Sequence, residues 1–260
     1  MYRQILKAQQ NHQTFALCTI VRSEGSTPRR VGSKMLVFPD GQIEGTIGGG
    51  EMESLVIEAA QQAILAGKAG TMDYALVDPA RGDPGVCGGT VTIFIEPIYP
   101  EPTIVVVGMG HVGQAVLKLA RFAGFRAVAV DDRPDFANAD VLPDADDVVC
   151  VSMKQLAEQA PTHRKCYFVL TTRNILVDID ALPALIAQDV PYIGVIGSRR
   201  RWQTTRKKLL EVGLTETALE KVRSPIGLEL NAETPEEIAV SILAEIIMIE
   251  RGGDGKPMSH

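Results

Sequence analysis

The residues best suited to hold an anion cluster in a few short segments, and one of them has a recognisable order. Between Thr103 and Asp132 an apolar run leads into Gly108-x-Gly110-x-x-Gly113; a helical stretch follows, and a second apolar run ends on Asp131 and Asp132. Strand, glycine turn, helix, strand and terminal acid in that sequence make a dinucleotide-binding fingerprint. Gly108 permits the tight turn, Gly110 lets the backbone approach a pyrophosphate, and Gly113 allows close packing of helix on strand. Amides and dipole at the helix start favour an anion. Asp131 is placed to accept hydrogen bonds from ribose hydroxyls. His111, inside the loop, is expected to line the anion site rather than act as acid or base.

Three further segments are shaped for anions, and a fourth carries a thiol. In GTIGGGEME (45–53) a strand runs into Gly48, Gly49 and Gly50 and then a helix, so exposed amides there suit a phosphate. Three successive glycines exceed what a tight connection requires, while Glu53 also suits the helix dipole. In EGSTPRRVGSK (24–34), Arg29 and Arg30 offer guanidinium groups for phosphate or carboxylate, with a solvated turn as the plain alternative. In IGSRRRWQTTRKK (196–208), Ser198 caps a helix that opens with Arg199, Arg200 and Arg201. Arginines at a helix start oppose the dipole, so an anionic ligand there is one explanation and a solvated basic face the other. In GVCGGTVTIFIE (85–96), Cys87 precedes Gly88 and Gly89 in a loop, where a thiolate can bind sulfur or a soft metal or attack an electrophile, with a plain loop cysteine as the alternative. Cys18, Cys150 and Cys166 adjoin apolar strand-like runs and read as buried small hydrophobes. No metal site is assigned, and no catalytic set of Ser/His/Asp, HExxH or Tyr-x-x-x-Lys form is present. Hydride transfer to or from a carbonyl needs a positioned proton donor or base.

These segments need elements to carry them. Runs at 15–21, 34–38, 42–47, 71–77 and 90–96 read as strands, with a hairpin turn at Asp40-Gly41 and a helix over Glu51–Ala66. EPIYPEP (96–102) carries three prolines and reads as a stiff linker. Beyond it, strand-like runs at 104–107, 126–130, 148–151, 167–171 and 192–196 alternate with helices, including Ile179–Gln188. Such alternation predicts a doubly wound parallel sheet with its crevice at the strand carboxyl ends. The stretch 131–148 is short and polar, which suggests that one crossover is truncated. Thr234, Pro235 and Glu237 signal the start of a last helix that could pack on either domain. The expected organisation is a domain over 1–97, a linker over 98–102, a Rossmann-like domain over 103–251 and a tail over 252–260. A net charge of −6 argues against nucleic acid and anionic membranes as partners. No apolar run reaches the roughly 20 residues of a membrane helix, and the first residues lack a signal-peptide pattern, so the chain reads as cytoplasmic. A homodimer is expected only because it is the commonest soluble assembly.

Taken in order, SEGSTPRRVGSKM (23–35), GTIGGGEME (45–53), VCGGTVTIFIEP (86–97), VVVGMGHVG (105–113), VDDRPDFAN (130–138), YIGVIGSRRR (192–201) and SPIGLELNAETPEEIAVSILAEI (224–246) resemble the xanthine dehydrogenase accessory protein family, XdhC/CoxI. The resemblance implies a small amino-terminal α/β XdhC/CoxI domain followed by a carboxy-terminal Rossmann-like doubly wound parallel sheet. It also implies an accessory protein that binds the molybdenum cofactor (molybdopterin), helps it acquire sulfur with a cysteine desulfurase, and delivers it to an apo molybdenum hydroxylase. Arg29, Arg30, Gly48–Gly50, Glu53, Cys87–Gly89, Arg199 and Arg200 become its candidate contacts. Many relatives carry Gly-Gly-Cys where this chain has Gly49-Gly50-Glu51, so no cysteine role transfers to that spot. Relatives also place a histidine after the Thr-Arg that here, as Thr172-Arg173, precedes Asn174. The reading is a maturation factor more than an enzyme. An NAD(P)-dependent oxidoreductase using Asp131 for the ribose, and a nucleotide-sensing regulator, are the alternatives.

Overall fold

A computed structural model describes residues 1–76 and 89–259, which form two compact units, Met1–Pro100 and Glu101–His260. The first unit runs α1 (Tyr2–Gln10), β1 (Phe15–Glu24), β2 (Lys34–Val37), β3 (Ile43–Gly45), α2 (Gly50–Ala66), β4 (Gly70–Leu76) and β5 (Gly89–Ile98). Its strands form one antiparallel sheet in the order β3-β2-β1-β5-β4. Alternation along β1 sends Ala16, Cys18 and Ile20 to one face, where they meet Met52, Val56, Ala60 and Ile64, a stripe spaced every fourth residue on α2. Phe15 and Leu36 point the other way, onto Ala8 of α1. The β2–β3 hairpin turns where expected: Gly41 takes φ +83° and Asp40 accepts from the Gln42 amide at 2.9 Å.

Two expectations for this region need correction. α1 has no counterpart among the expected elements, because its few apolar positions sit in a polar stretch. The proline-rich segment is not linker from Glu96 onward, since β5 continues through Pro97 to Ile98, paired with Phe15 and Ala16. β4 begins opposite Ile95, so at Pro97 the strand has a neighbour on one side only and a missing N–H is tolerated.

The second unit carries β6 (Thr103–Val107), α3 (His111–Phe122), β7 (Arg126–Asp131), β8 (Asp147–Cys150), a single 3₁₀ turn (Met153–Gln155), α4 (Leu156–Gln159), β9 (Cys166–Leu170), α5 (Ile175–Ile186), β10 (Tyr192–Val195), α6 (Arg199–Glu211), α7 (Glu216–Leu219), β11 (Val222–Arg223) and α8 (Pro235–Arg251). All its strands are parallel, in the order β11-β10-β9-β6-β7-β8. That is the order of dinucleotide-binding sheets, with the switch point between β6 and β9. Both faces are covered. Val105, Val107, Phe168 and Leu170 pack under α5 and α6. Ile104, Val106 and Val169 pack under α3 and α8. α8 therefore belongs beside α3, and its Thr234–Glu237 capping box forms as the sequence suggests.

No helix lies between β7 and β8. α5 starts four residues before the expected Ile179, because the Asn174 side chain accepts from the Leu176 and Val177 amides and caps it there. Cys18 and Cys166 are buried, which pushes each thiol up to about 12. Cys150, expected to be buried, is exposed at the end of the edge strand β8. Among the described residues no helix is long and apolar enough to cross a membrane.

Candidate functional site

The carboxyl ends of β6, β7 and β9 frame a crevice of about 170 Å³ lined by Gly108, Gly110, Asp131, Asp132, Arg133, Phe136, Met153, Thr171, Thr172, Arg173 and Val177. The fingerprint glycines build it in different ways. At Gly113 a Cβ would fall on the Gly108 carbonyl oxygen and 2.8 Å from Thr171 Oγ1, so α3 seats on the turn only with glycine there. Gly108 takes φ +100° and lies against the Thr171 carbonyl. Gly110 is different, because a Cβ there meets nothing within 4 Å. Its backbone is the part of the turn open to a ligand.

The acid at the end of β7 is turned inward. Asp131 is 1% exposed. Its Oδ2 accepts from the Met109 amide (2.8 Å) and Arg133 Nη2 (2.9 Å), and its Oδ1 from the Arg133 amide (3.0 Å) and Nε (2.8 Å). Burial raises its pKa, but the Arg133 guanidinium and the two amides outweigh burial and hold the carboxyl at about 2. A ribose diol has no acceptor left on Asp131 in this arrangement, so the role expected for it requires Arg133 to move. Arg133 also lies 3.6 Å over the Phe136 ring. Arg173 reaches across from the end of β9 to grip Asp132 with two bonds, at 2.7 and 2.8 Å. Behind them, Arg201 donates to the Thr172 hydroxyl (2.8 Å) and to Asp178 (2.7 Å). Asp178 is fully buried, and burial raises its pKa against the opposing pull of Thr172 and Arg201.

Other residues singled out in the sequence lie elsewhere. His111, the exposed first residue of α3, lines a separate hollow with Lys118, Asp144, Pro235 and Glu236, not the crevice. Its position at the outer side of the helix start turns it toward α8. Arg199 and Arg200 are exposed and do not line the crevice; the third arginine of that run, Arg201, is the one turned inward. Arg173 comes from far along the chain, so no local spacing marks it beside Asp132.

In the first unit, three of the glycine and arginine segments meet at one end of the sheet. A Cβ at Gly48 would strike Pro28 (2.9 Å) and Met52 (2.8 Å), and one at Gly89 would strike the Ser26 carbonyl and Thr27 Cγ2 (2.9 Å). The loop bearing Arg29 and Arg30 is thus clamped between the triple-glycine turn and the start of β5. The turn already holds an anion of its own: Glu53 Oε2 accepts from the Thr46 hydroxyl (2.7 Å) and from the Ile47 and Gly49 amides (3.2 Å each). The Gly48 amide donates to Thr46 Oγ1 at 3.2 Å. On the outer side Arg29 and Arg30 are exposed, and a Cβ at Gly49 would meet nothing within 4 Å. Cys87 and Gly88 lie outside the described residues.

Residues 104–246 match the family model described as the XdhC Rossmann domain, and residues 8–75 match that of the XdhC and CoxI family. The chain is 34% identical over 259 residues to the uncharacterized protein YqeB of Escherichia coli (strain K12), covering 98% of this chain and 47% of YqeB. It is 31% identical over 162 residues to a probable xanthine dehydrogenase subunit of Bacillus subtilis (strain 168), covering 62% of this chain and 47% of that protein. It thus spans about half the length of both. The molybdenum cofactor insertion chaperone PaoD of Escherichia coli (strain K12) is 22% identical over 283 residues, covering 90% of this chain and 82% of PaoD. A crystal structure described as a xanthine dehydrogenase from Bacillus halodurans has the same fold at a TM-score of 0.52 and 21% identity, covering 99% of this chain and 97% of that one.

Proposed function

The chain belongs to the XdhC and CoxI family, and from that premise we propose that it is an accessory protein for a molybdenum hydroxylase of the xanthine dehydrogenase type. In this reading it binds the molybdenum cofactor, assists its sulfuration together with a cysteine desulfurase, and hands it to the apo-enzyme. The relatives support the accessory role, PaoD through its name as an insertion chaperone. On this chain, the observation that carries the reading is the convergence of the Arg29–Arg30 loop, the Gly48–Gly50 turn and Gly89 at one sheet end. Molybdopterin brings a phosphate and a dithiolene-bound oxo-metal to whatever holds it.

The residues fit a phosphate-bearing group at the rim and not inside the turn. Arg29 and Arg30 are the donors on offer, and guanidinium forks match phosphate oxygens. Glu53 keeps the inner amides engaged and the turn rigid. Cys87, as the thiol nearest these motifs in sequence, is the candidate for a sulfur relay. Native mass spectrometry of the protein purified from a molybdopterin-producing host tests the reading. The expected result is a bound molybdopterin mass that is lost in an Arg29→Ala/Arg30→Ala double variant. A pterin-free protein that also fails to raise the activity of an apo-hydroxylase would sink the proposal.

A further inference from the structure

The crevice at the β6/β9 switch point carries more information about its ligand than the fingerprint alone. A dinucleotide with a bare adenosine ribose needs an acceptor, a carboxylate with free lone pairs for two hydroxyls. A dinucleotide phosphorylated on that ribose needs donors. Asp131 takes four hydrogen bonds from Met109 and Arg133. Asp132 takes two from Arg173, with Arg133 Nε a further 3.9 Å away. Both acids at this edge are therefore engaged by guanidinium groups.

The donors are not used up. The Arg133 side chain is 36% exposed and engages Asp131 through Nε and Nη2, leaving Nη1 free of any described partner. Arg173, 42% exposed, engages Asp132 through Nη1 and Nη2, leaving Nε and the outer edge of its fork. Each guanidinium is fixed by the carboxylate beside it, and Phe136 packs against the plane of Arg133. Donors held in place lose little freedom when they meet a phosphate. The apolar walls, Met153 and Val177, suit the flat face of a base, and Gly110 leaves room for the pyrophosphate.

We propose that this crevice takes a dinucleotide bearing a phosphate on its adenosine ribose, NADP(H) by chemical type, in preference to one with a free 2′-hydroxyl, and that Arg133 and Arg173 set the preference. The proposal uses none of the residues proposed above as pterin contacts and does not depend on them. Nor does it require that a hydride moves.

The test is a titration of the nucleotide-free full chain with NADPH and with NADH, followed by their own fluorescence, with 2′,5′-ADP and 5′-AMP as competitors. NADPH is expected to bind at least about tenfold tighter than NADH, the usual scale of one charge-assisted pair, and 2′,5′-ADP to compete better than 5′-AMP. Arg133→Ala removes a phosphate contact and also frees the Asp131 carboxylate. It should weaken NADPH and strengthen NADH, a crossing that mere loss of folding cannot produce. Arg173→Ala should weaken NADPH and leave NADH unchanged. Equal or tighter binding of NADH by the unmodified chain, or no binding of either at millimolar concentration, overturns the proposal. If Arg133→Ala does not fold, the Arg173→Ala titration and the competitor pair decide it alone.

Discussion

Asp131 is a charge whose partner sits two residues away, and this has a consequence for stability against acid. Its carboxyl is held at about 2, against an ordinary 3.8, by Arg133 and two amides acting over the opposing effect of burial. A depressed carboxyl contributes stability that is complete above its unfolded value and is lost as the pH falls through its folded one. The window is therefore pH 4 down to pH 2, and the shift corresponds to roughly 2 kcal/mol. Trp202, the single tryptophan of the chain, lies in α6 of the same unit and reports its unfolding. Urea denaturation followed at Trp202 should show stability falling across that window. Asp131→Asn should be less stable at neutral pH by about the same 2 kcal/mol and should show a shallower acid fall. An Asp131→Asn profile parallel to the unmodified one would mean that the carboxyl is not clasped as described. Fingerprint spacing places Asp131 at the crevice. It does not show which way the carboxylate faces, because that depends on Arg133 and on the Met109 amide folding back to meet it.

At the scale of the element, the three fingerprint glycines do different work and should fail differently. Gly113 seats α3 on β6, where an added Cβ meets backbone that the parallel sheet holds fixed. Gly113→Ala should cost more than about 3 kcal/mol or give insoluble protein, as overpacking against backbone does. Gly110 has φ −73° and open space at its Cβ position. Gly110→Ala should therefore melt within a degree or two of the unmodified chain by circular dichroism, an effect within the usual surface range, yet bind NADPH at least about tenfold more weakly. Full retention of binding in Gly110→Ala would show that the ligand does not approach the turn at this residue. The alternation of apolar runs made this doubly wound sheet legible from sequence, as did the Thr234–Glu237 capping signal that starts α8. What was not legible depended on neighbours. β11 is a two-residue strand that exists because β10 pairs with it. Pro97 sits in a strand because β4 begins beyond it, and α5 starts early because of the Asn174 cap. In the crevice, the glycines and Asp131 are local signals, whereas Arg173 arrives from another element and only the fold brings it in.

For the whole molecule, each unit has its own interior. The clusters around α2 and around Phe15 draw only on Met1–Pro100, and those on the two faces of the parallel sheet draw only on Glu101–His260. A domain of this second unit's size buries close to 70% of the surface its unfolded chain exposes, enough for independent folding. Every residue assigned to the dinucleotide crevice lies in that unit. The overall charge of −6 repels an anionic ligand at long range, so affinity has to come from guanidinium groups fixed locally. A fragment of residues 101–259 should therefore unfold at the same urea midpoint at Trp202 as the full chain, and bind NADPH within about twofold of it. The Arg29→Ala/Arg30→Ala variant of the full chain should lose pterin and keep NADPH affinity, because no side chain is shared between the two sets. Should the fragment fold yet bind NADPH tenfold more weakly, a group from the first unit must reach the dinucleotide. If pterin loading of that unit then alters NADPH affinity by some factor, NADPH must alter pterin affinity by the same factor in return.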